Sequence, residues 1–234
     1  MTLPALARAY IDAGVQQRHP GYRALLMTAE GVKGGPSNAI SDAALQSAQE
    51  HARTLLADQP LEQIPQIVEW REAYRSFGVK PRKARSSVES LFRRAADGLP
   101  RIDVLTDLYN AVSVLHLVPI GGEDLDRYVG PPRLVVAAGD EPFETVVGGE
   151  AVVETPAPGE IVWRDDGGVT CRRWNWRQCT RTHLTESTTD VIFFLDGLAA
   201  TGHEGLRSAA DDLAERLRTT ATGITINTRM LGAD

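Results

Sequence analysis

Three carboxylates fall together at Glu123, Asp124 and Asp126, in what reads as a short loop. A glutamate in such a cluster can orient a water molecule for attack on an ester, while the aspartates serve backbone turns or sit solvated. A second group with chemical potential is the pair Arg177-Gln178. Its guanidinium can fork onto phosphate or carboxylate, and its amide can read a polar substrate group. Just before it lie Trp174 and Trp176, flanked by Arg173 and Arg177. On an extended strand the two indoles share one face and the two arginines the other, so the aromatic face either packs on the core or stacks a terminal base.

Cys171, Cys179 and His183 offer soft ligands, but their spacing fits no zinc pattern and a fourth ligand is missing. The expectation is two free thiols, no metal and no cofactor. The net charge of −6 argues against bulk electrostatic binding of nucleic acid, yet the stretch from Arg71 to Arg94 holds eight basic residues against two acids. Lys80, Arg82, Lys83 and Arg85 form its centre. Such a patch suits a localised phosphate backbone, or a solvated helix face with salt bridges beneath it.

These groups need elements to hold them. With 234 residues and 42% hydrophobic content the chain can bury a real core. Its longest run of large apolar side chains, Val191–Leu195, suits a buried strand and is far too short to cross a bilayer. Pro4 and Arg8 interrupt the N-terminus before any apolar stretch develops, so no secretory leader and no membrane anchor are expected, and the cytoplasm is the expected address.

Apolar spacing predicts helices over 38–58, 61–77 and 102–117, the first capped by Asn38 or Ser41 and the second stopped by Gly78 and Pro81. Ser86-Ser87-Val88-Glu89 reads as a capping box, and Thr201-Gly202-His203-Glu204 as the start of a last helix. Short β-branched segments at Arg133–Ala138, Phe143–Val147, Ala151–Glu154, Glu160–Arg164, Val169–Trp176 and Asp190–Leu195 predict strands, with a hairpin turn at Asp165–Gly168. A further strand at Arg23–Thr28 precedes a glycine-rich loop that lacks the lysine and hydroxyl of a phosphate loop. The expected fold class is α+β: a mixed β-sheet packed by helices, with residues 1–60 an N-terminal strand and helix integral to the domain at 61–234.

From Trp70 onward the sequence resembles the B3/B4 domain, the tRNA-editing module of the bacterial phenylalanyl-tRNA synthetase β subunit and its free-standing relatives. The resemblance lies in Trp70–Tyr74, Phe77–Pro81, Ser86–Arg94, Leu99–Ser113, Val118–Asp126 and Arg173–Gln178. It implies a B3/B4-like fold and hydrolysis, in trans, of an amino acid wrongly esterified to tRNA. The partner implied is an aminoacyl-tRNA or its 3′ end. The alternative is a non-catalytic module that binds a small amino-acid-like ligand or a protein partner.

The resemblance also suggests site residues. The family's pocket carboxylate falls at Asp196, which joins Glu123 as a candidate catalytic group. Asp107 and Asn110 fall on a family motif, with Ser113 one turn further, and these three either touch ligand or cap and cross-link helices. The family's pocket histidine falls on Gly121, which should leave extra room, and its glycine turn is replaced by Arg172–Gln178. The expected pocket lies between the helix of Asp107, Asn110 and Ser113 and the strand of Arg177 and Gln178, with Trp174 or Trp176 as a wall and Asp196 at its edge. Lys80, Arg82, Lys83 and Arg85 would meet RNA.

Overall fold

A computed structural model describes residues 6–80, 82–95 and 97–232. Most of the run that speaks against a leader, and Pro81 as a helix stop, lie outside the described residues. The apolar run at 191–195 becomes the centre of β10 (Asp190–Gly197), buried along almost its whole length. It pairs antiparallel with β2 (Arg23–Glu30) on one side and β3 (Ile120–Asp124) on the other. The strand β11 (Thr225–Leu231) closes this sheet in the order β11-β2-β10-β3.

A second sheet runs β1-β4-β7-β8-β9, from Tyr10–Ile11, Arg133–Val136, Ile161–Arg164, Val169–Arg172 and Arg177–Gln178. Its β1–β4 pair is parallel and the rest antiparallel, so this sheet is mixed. The strands β5 (Phe143–Val147) and β6 (Glu150–Glu154) form a separate hairpin.

The helices are α1 (Ala13–Arg18), α2 (Ala39–Asp58), α3 (Pro65–Ser76), α4 (Ser87–Ala95), α5 (Val104–His116) and α6 (Gly202–Arg218). The two-residue period of β10 gives each face of the four-stranded sheet its own partner. Phe193 turns to the helical side, where its ring meets Tyr109 of α5. Phe194 turns the other way, with ring centroids 4.7 Å from Trp163 of β7. Helix α6 packs on β10 and β2, α5 on β3, and α2 on α5. The fold is therefore α+β, with helices on one face of a sheet and a second sheet on the other. Among the described residues no helix is long and apolar enough to cross a membrane.

Several local expectations need correction. The segments from Arg133 to Leu195 do not make one sheet: β10 joins β2, β3 and β11, because its two apolar faces both need covering. Ile120–Asp124 is a strand rather than a loop, so Glu123 and Asp124 are buried in a sheet and only Asp126 is exposed in the turn beyond. The strand starting at Val169 stops at Arg172, since Arg173 and Trp174 have φ of 47° and 70°. The proposed alternation of two indoles against two arginines fails with it. Ser86 Oγ accepts from Glu89 N at 3.4 Å, but the Glu89 carboxylate turns to Arg71 and Arg93 instead of back to the cap. Thr201 makes no side-chain cap to α6.

Candidate functional site

The strand pairing places the chemistry. In the antiparallel β3–β10 ladder Gly121 faces Phe194 and Glu123 faces Ile192. Residues directly opposite point to the same side of a sheet, and alternate residues along a strand do so too. Gly121, Glu123, Ile192, Phe194 and Asp196 thus share the face turned toward the second sheet. Between the sheets lies a cavity of about 110 Å³ lined by Asp196, Glu123, Gly121, Asn110, Trp174 and Arg177, among others.

Asp196 is 2% exposed. Its Oδ1 accepts from Tyr22 Oη at 2.6 Å and its Oδ2 from Asn175 Nδ2 at 3.2 Å. Asn175 is fixed in that orientation because its Oδ1 accepts from Tyr74 Oη at 2.9 Å. Burial pushes the Asp196 carboxyl up to about 7, although the Tyr22 and Asn175 donors pull the other way. Trp163 Nε1 lies close enough to favour the charged form, but makes no hydrogen bond of normal geometry. The same burial, with the Asp196 charge beside it, raises the Tyr22 phenol well above its usual range.

Glu123 is 1% exposed. Its Oε2 accepts from Tyr128 Oη at 2.5 Å and Thr182 Oγ1 at 2.9 Å, and the Thr170 hydroxyl also hydrogen-bonds this carboxylate. Burial raises this carboxyl too, to about 7, against those hydroxyl donors. The row of Glu123 lies four residues along β10 from Asp196, roughly 13 Å at the backbone. The two acids bracket the cavity and are not a proton-sharing dyad. Cys171 also lines the cavity, but burial and the negative charges of Glu123 and Asp196 hold its thiol well above the ordinary range, so it is no thiolate nucleophile.

The turn from Arg173 to Trp176 forms one wall. Trp174 is fully buried against Trp70, Tyr22 and His19, with ring centroids 5.3, 4.8 and 4.8 Å away. That packing holds two consecutive non-glycine residues in the left-handed region, at a cost of about 1–2 kcal/mol each. Trp176 carries the Arg173 guanidinium 4.1 Å from its ring centroid. At the rim Arg177 donates to Val146 O at 3.1 Å, tying the β5–β6 hairpin to the mouth. Ser87, at the start of α4, completes this side, with its backbone N donating to Asn175 O.

The family model for the B3/4 domain matches residues 69–222, well over half of the chain. The chain belongs to the B3/4 domain family. It is also similar, at 14% identity and a TM-score of 0.48, to a solved N-terminal fragment of the phenylalanyl-tRNA synthetase beta-subunit from Pyrococcus horikoshii. That alignment covers 93% of this chain and 49% of the fragment, so the chain spans about half its length. No curated protein matches the sequence.

Not every residue singled out in this B3/4 domain lines the cavity. Asp196, Glu123, Asn110, Gly121, Trp174, Arg177 and Gln178 do. Asp107 points elsewhere: it accepts from Ser41 Oγ at 3.0 Å and Ile102 N at 2.9 Å, joining α2 and α5. Ser113 donates to Val118 O at 2.6 Å and closes the end of α5. The room expected at Gly121 is taken, since a Cβ there would stand 3.1 Å from the Gln178 amide nitrogen, which itself donates to Gly122 O at 3.0 Å.

The basic stretch divides in two. Arg71 and Arg93 hydrogen-bond the buried Glu89 and exposed Glu62, and Arg85 pairs with Glu89 at 3.5 Å. Lys80, Arg82 and Lys83 are exposed, with no ion pair among the described residues. Both cysteines are free and buried, and His183 is exposed. Tyr22, Asn175 and Tyr74 were not foreseen as site residues. Tyr22 and Tyr74 lie in apolar surroundings that read as core, and only the register of β2 and β10 brings Tyr22 to Asp196.

Proposed function

We propose that this B3/4 domain is a trans-acting deacylase that accepts the 3′ end of a mischarged aminoacyl-tRNA and hydrolyses its ester. One observation carries the reading: two buried carboxylates, Asp196 and Glu123, line a single small cavity whose rim holds Asn110 and Arg177. A carboxyl poised near 7 suits general-base work at neutral pH. In the proposed step Asp196 takes a proton from water as its oxygen bonds to the ester carbonyl carbon. Collapse of the tetrahedral intermediate breaks the bond to the 3′ oxygen, which leaves with that proton. No nucleophilic serine or thiolate, metal or cofactor is needed.

In this reading Asn110 and Arg177 touch the amino acid and the terminal phosphate or carbonyl, Trp174 is an apolar wall, and Lys80, Arg82 and Lys83 meet the RNA backbone. The working place is the cytoplasm, where charged tRNA is found. The reading treats residues 1–60 as integral to the domain although the family match begins at residue 69, because β2 pairs with β10 over its whole length. A panel of mischarged tRNAs incubated with the protein tests it. At least one should be deacylated, and Asp196→Asn should abolish that activity. A protein that deacylates no member of a full panel is not a deacylase.

One observation favours a second reading. Both oxygens of Asp196 already accept hydrogen bonds, a state that suits a fixed binding group as well as a base. A non-catalytic sensor would bind a non-hydrolysable aminoacyl-adenosine amide in calorimetry and leave every ester intact.

A further inference from the structure

We infer that Ser87 donates its hydroxyl to the carbonyl oxygen of an acyl group held in the cavity, and so stabilises the negative charge that gathers there when the ester is attacked. This rests on the reading of the cavity as a site of ester hydrolysis and adds a catalytic residue to it. Three observations carry it.

The first is a hydroxyl without a partner. Ser87 lines the cavity, its Oγ is buried, and that oxygen makes no hydrogen bond among the described residues. A buried polar group left unpaired costs stability, and a ligand atom that completes the bond recovers it. The first turn of α4 does not need this hydroxyl. Ser86 Oγ already accepts from Glu89 N at 3.4 Å, and the backbone N of Ser87 is taken by Asn175 O at 3.2 Å.

The second is charge. Ser87 is the first residue of α4, a nine-residue helix whose N-terminal dipole end favours negative charge. The wall from Arg173 to Gln178 beside it holds two guanidiniums and no acid. An oxygen that gains charge during a reaction suits these surroundings, and an ammonium does not.

The third is the link to Asp196. Asn175 accepts from Ser87 N through its backbone O and donates to Asp196 Oδ2 at 3.2 Å through its side chain, so one residue fixes the two groups relative to each other. Both line the same cavity. Rotation of χ1 between staggered wells lets the Ser87 hydroxyl follow a ligand. As the water oxygen bonds to the carbonyl carbon, Asp196 takes the water proton and the carbonyl electron pair moves onto oxygen, where Ser87 donates. Collapse of the intermediate returns that pair to the carbonyl. Ser87 keeps its proton and forms no covalent bond, since no base accepts from its Oγ among the described residues.

The test is Ser87→Ala, assayed on an ester that the parent protein cleaves. Its kcat should fall at least ~tenfold while KM stays within about fivefold, because the donor acts on charge that develops in the transition state. Its melting temperature should equal or exceed the parent's, since the variant loses a hydroxyl that bonds nothing in the free protein. A structural role gives the opposite pair. An unchanged kcat, or a melting temperature clearly below the parent's, would overturn the inference.

If the parent cleaves no ester, the deacylase reading falls by itself. The donation from Ser87 to a ligand carbonyl is then judged by calorimetry with aminoacyl-adenosine amides, whose carbonyl oxygen is also an acceptor. Binding to the parent about fivefold tighter than to Ser87→Ala upholds it, and equal affinity, or no binding to the parent, overturns it.

Discussion

The hydroxyl of Tyr22 donates to Oδ1 of Asp196 at 2.6 Å, joining residues 174 positions apart. Since Arg23 pairs with Gly197, the β2–β10 register is what delivers the phenol to the carboxylate. The donor favours the charged form of Asp196 against burial. Tyr22→Phe should therefore raise the carboxyl further and move the acid limb of the deacylation profile upward by about one pH unit, with activity at pH 7 down roughly fivefold. Rates measured from pH 6 to 8.5, corrected for spontaneous ester hydrolysis, check this. A uniform drop at every pH would mean that Tyr22 only packs.

Two buried carboxyls near 7 also bear on stability. Their unfolded values are about 4, so between about pH 4.5 and 7 the folded chain holds more protons than the unfolded one. The stabilisation is complete below the unfolded values and is lost as pH rises through about 7, by up to something on the order of 3 kcal/mol for each group. His19, lowered by burial and by the neighbouring Arg18 charge, acts in the opposite sense below about 6.5. Urea midpoints should fall from pH 6 to 8, and the double variant Glu123→Gln with Asp196→Asn should flatten that fall. An unchanged slope in the double variant would show that both groups titrate normally.

The helices were readable because their apolar positions repeat every three to four residues, and the 39–58 helix sits where that spacing and Asn38 put it. The strand Ile120–Asp124 was not, since two glycines and two acids hide its alternation. It becomes a strand because β10 needs a partner on that edge. Trp174 could not be placed from local pattern, because its left-handed backbone is imposed by tertiary packing around the indole. Half of the candidate site depends on such long-range pairing. Glu123 was visible as an acid, but its burial was not.

At the centre of the basic stretch Lys80, Arg82 and Lys83 are exposed, whereas Arg85 is engaged with Glu89. Reversing the three exposed charges to glutamate should weaken binding of charged tRNA and lower the slope of log affinity against log salt by about 3, as phosphate contacts are lost. Filter binding at several salt concentrations measures both. Arg85→Glu should instead lower the melting temperature, because it faces a buried carboxylate. Unchanged affinity and slope in the triple variant would leave this surface merely solvated.

Asn110 and Asp107 occupy one helix, yet only Asn110 lines the cavity. Asn110→Ala should reduce deacylation at least ~tenfold, with a melting temperature close to the parent's. Asp107→Ala should do the reverse, destabilising by about 1–3 kcal/mol as Ser41 Oγ and Ile102 N lose their acceptor. Melting curves and rates on the two purified variants separate the roles. If Asn110→Ala is as active as the parent, that residue is scaffold as well.

Gly121 and Gly122 are adjacent in β3 and should respond differently to the same added methyl group. At Gly122 a Cβ would lie 2.9 Å from the Phe193 ring and 3.1 Å from that of Tyr109, between strand and helix, where neither ring has room to withdraw. Gly122→Ala should cost about 1–3 kcal/mol of stability. At Gly121 the Cβ faces the cavity side and meets only the end of Gln178, at 3.1 Å. A carboxamide tip can turn aside, at the loss of its hydrogen bond to Gly122 O. Gly121→Ala should therefore fold with nearly the parent's stability while the displaced amide moves into the cavity and slows the reaction. Gln178→Ala should open that corner instead and relax selectivity toward larger side chains. Chemical denaturation of the two glycine variants, set beside deacylation of a small and a large aminoacyl ester by the Gln178 variant, decides the point. Equal destabilisation by both alanines would mean that Gln178 is as rigidly held as the rings.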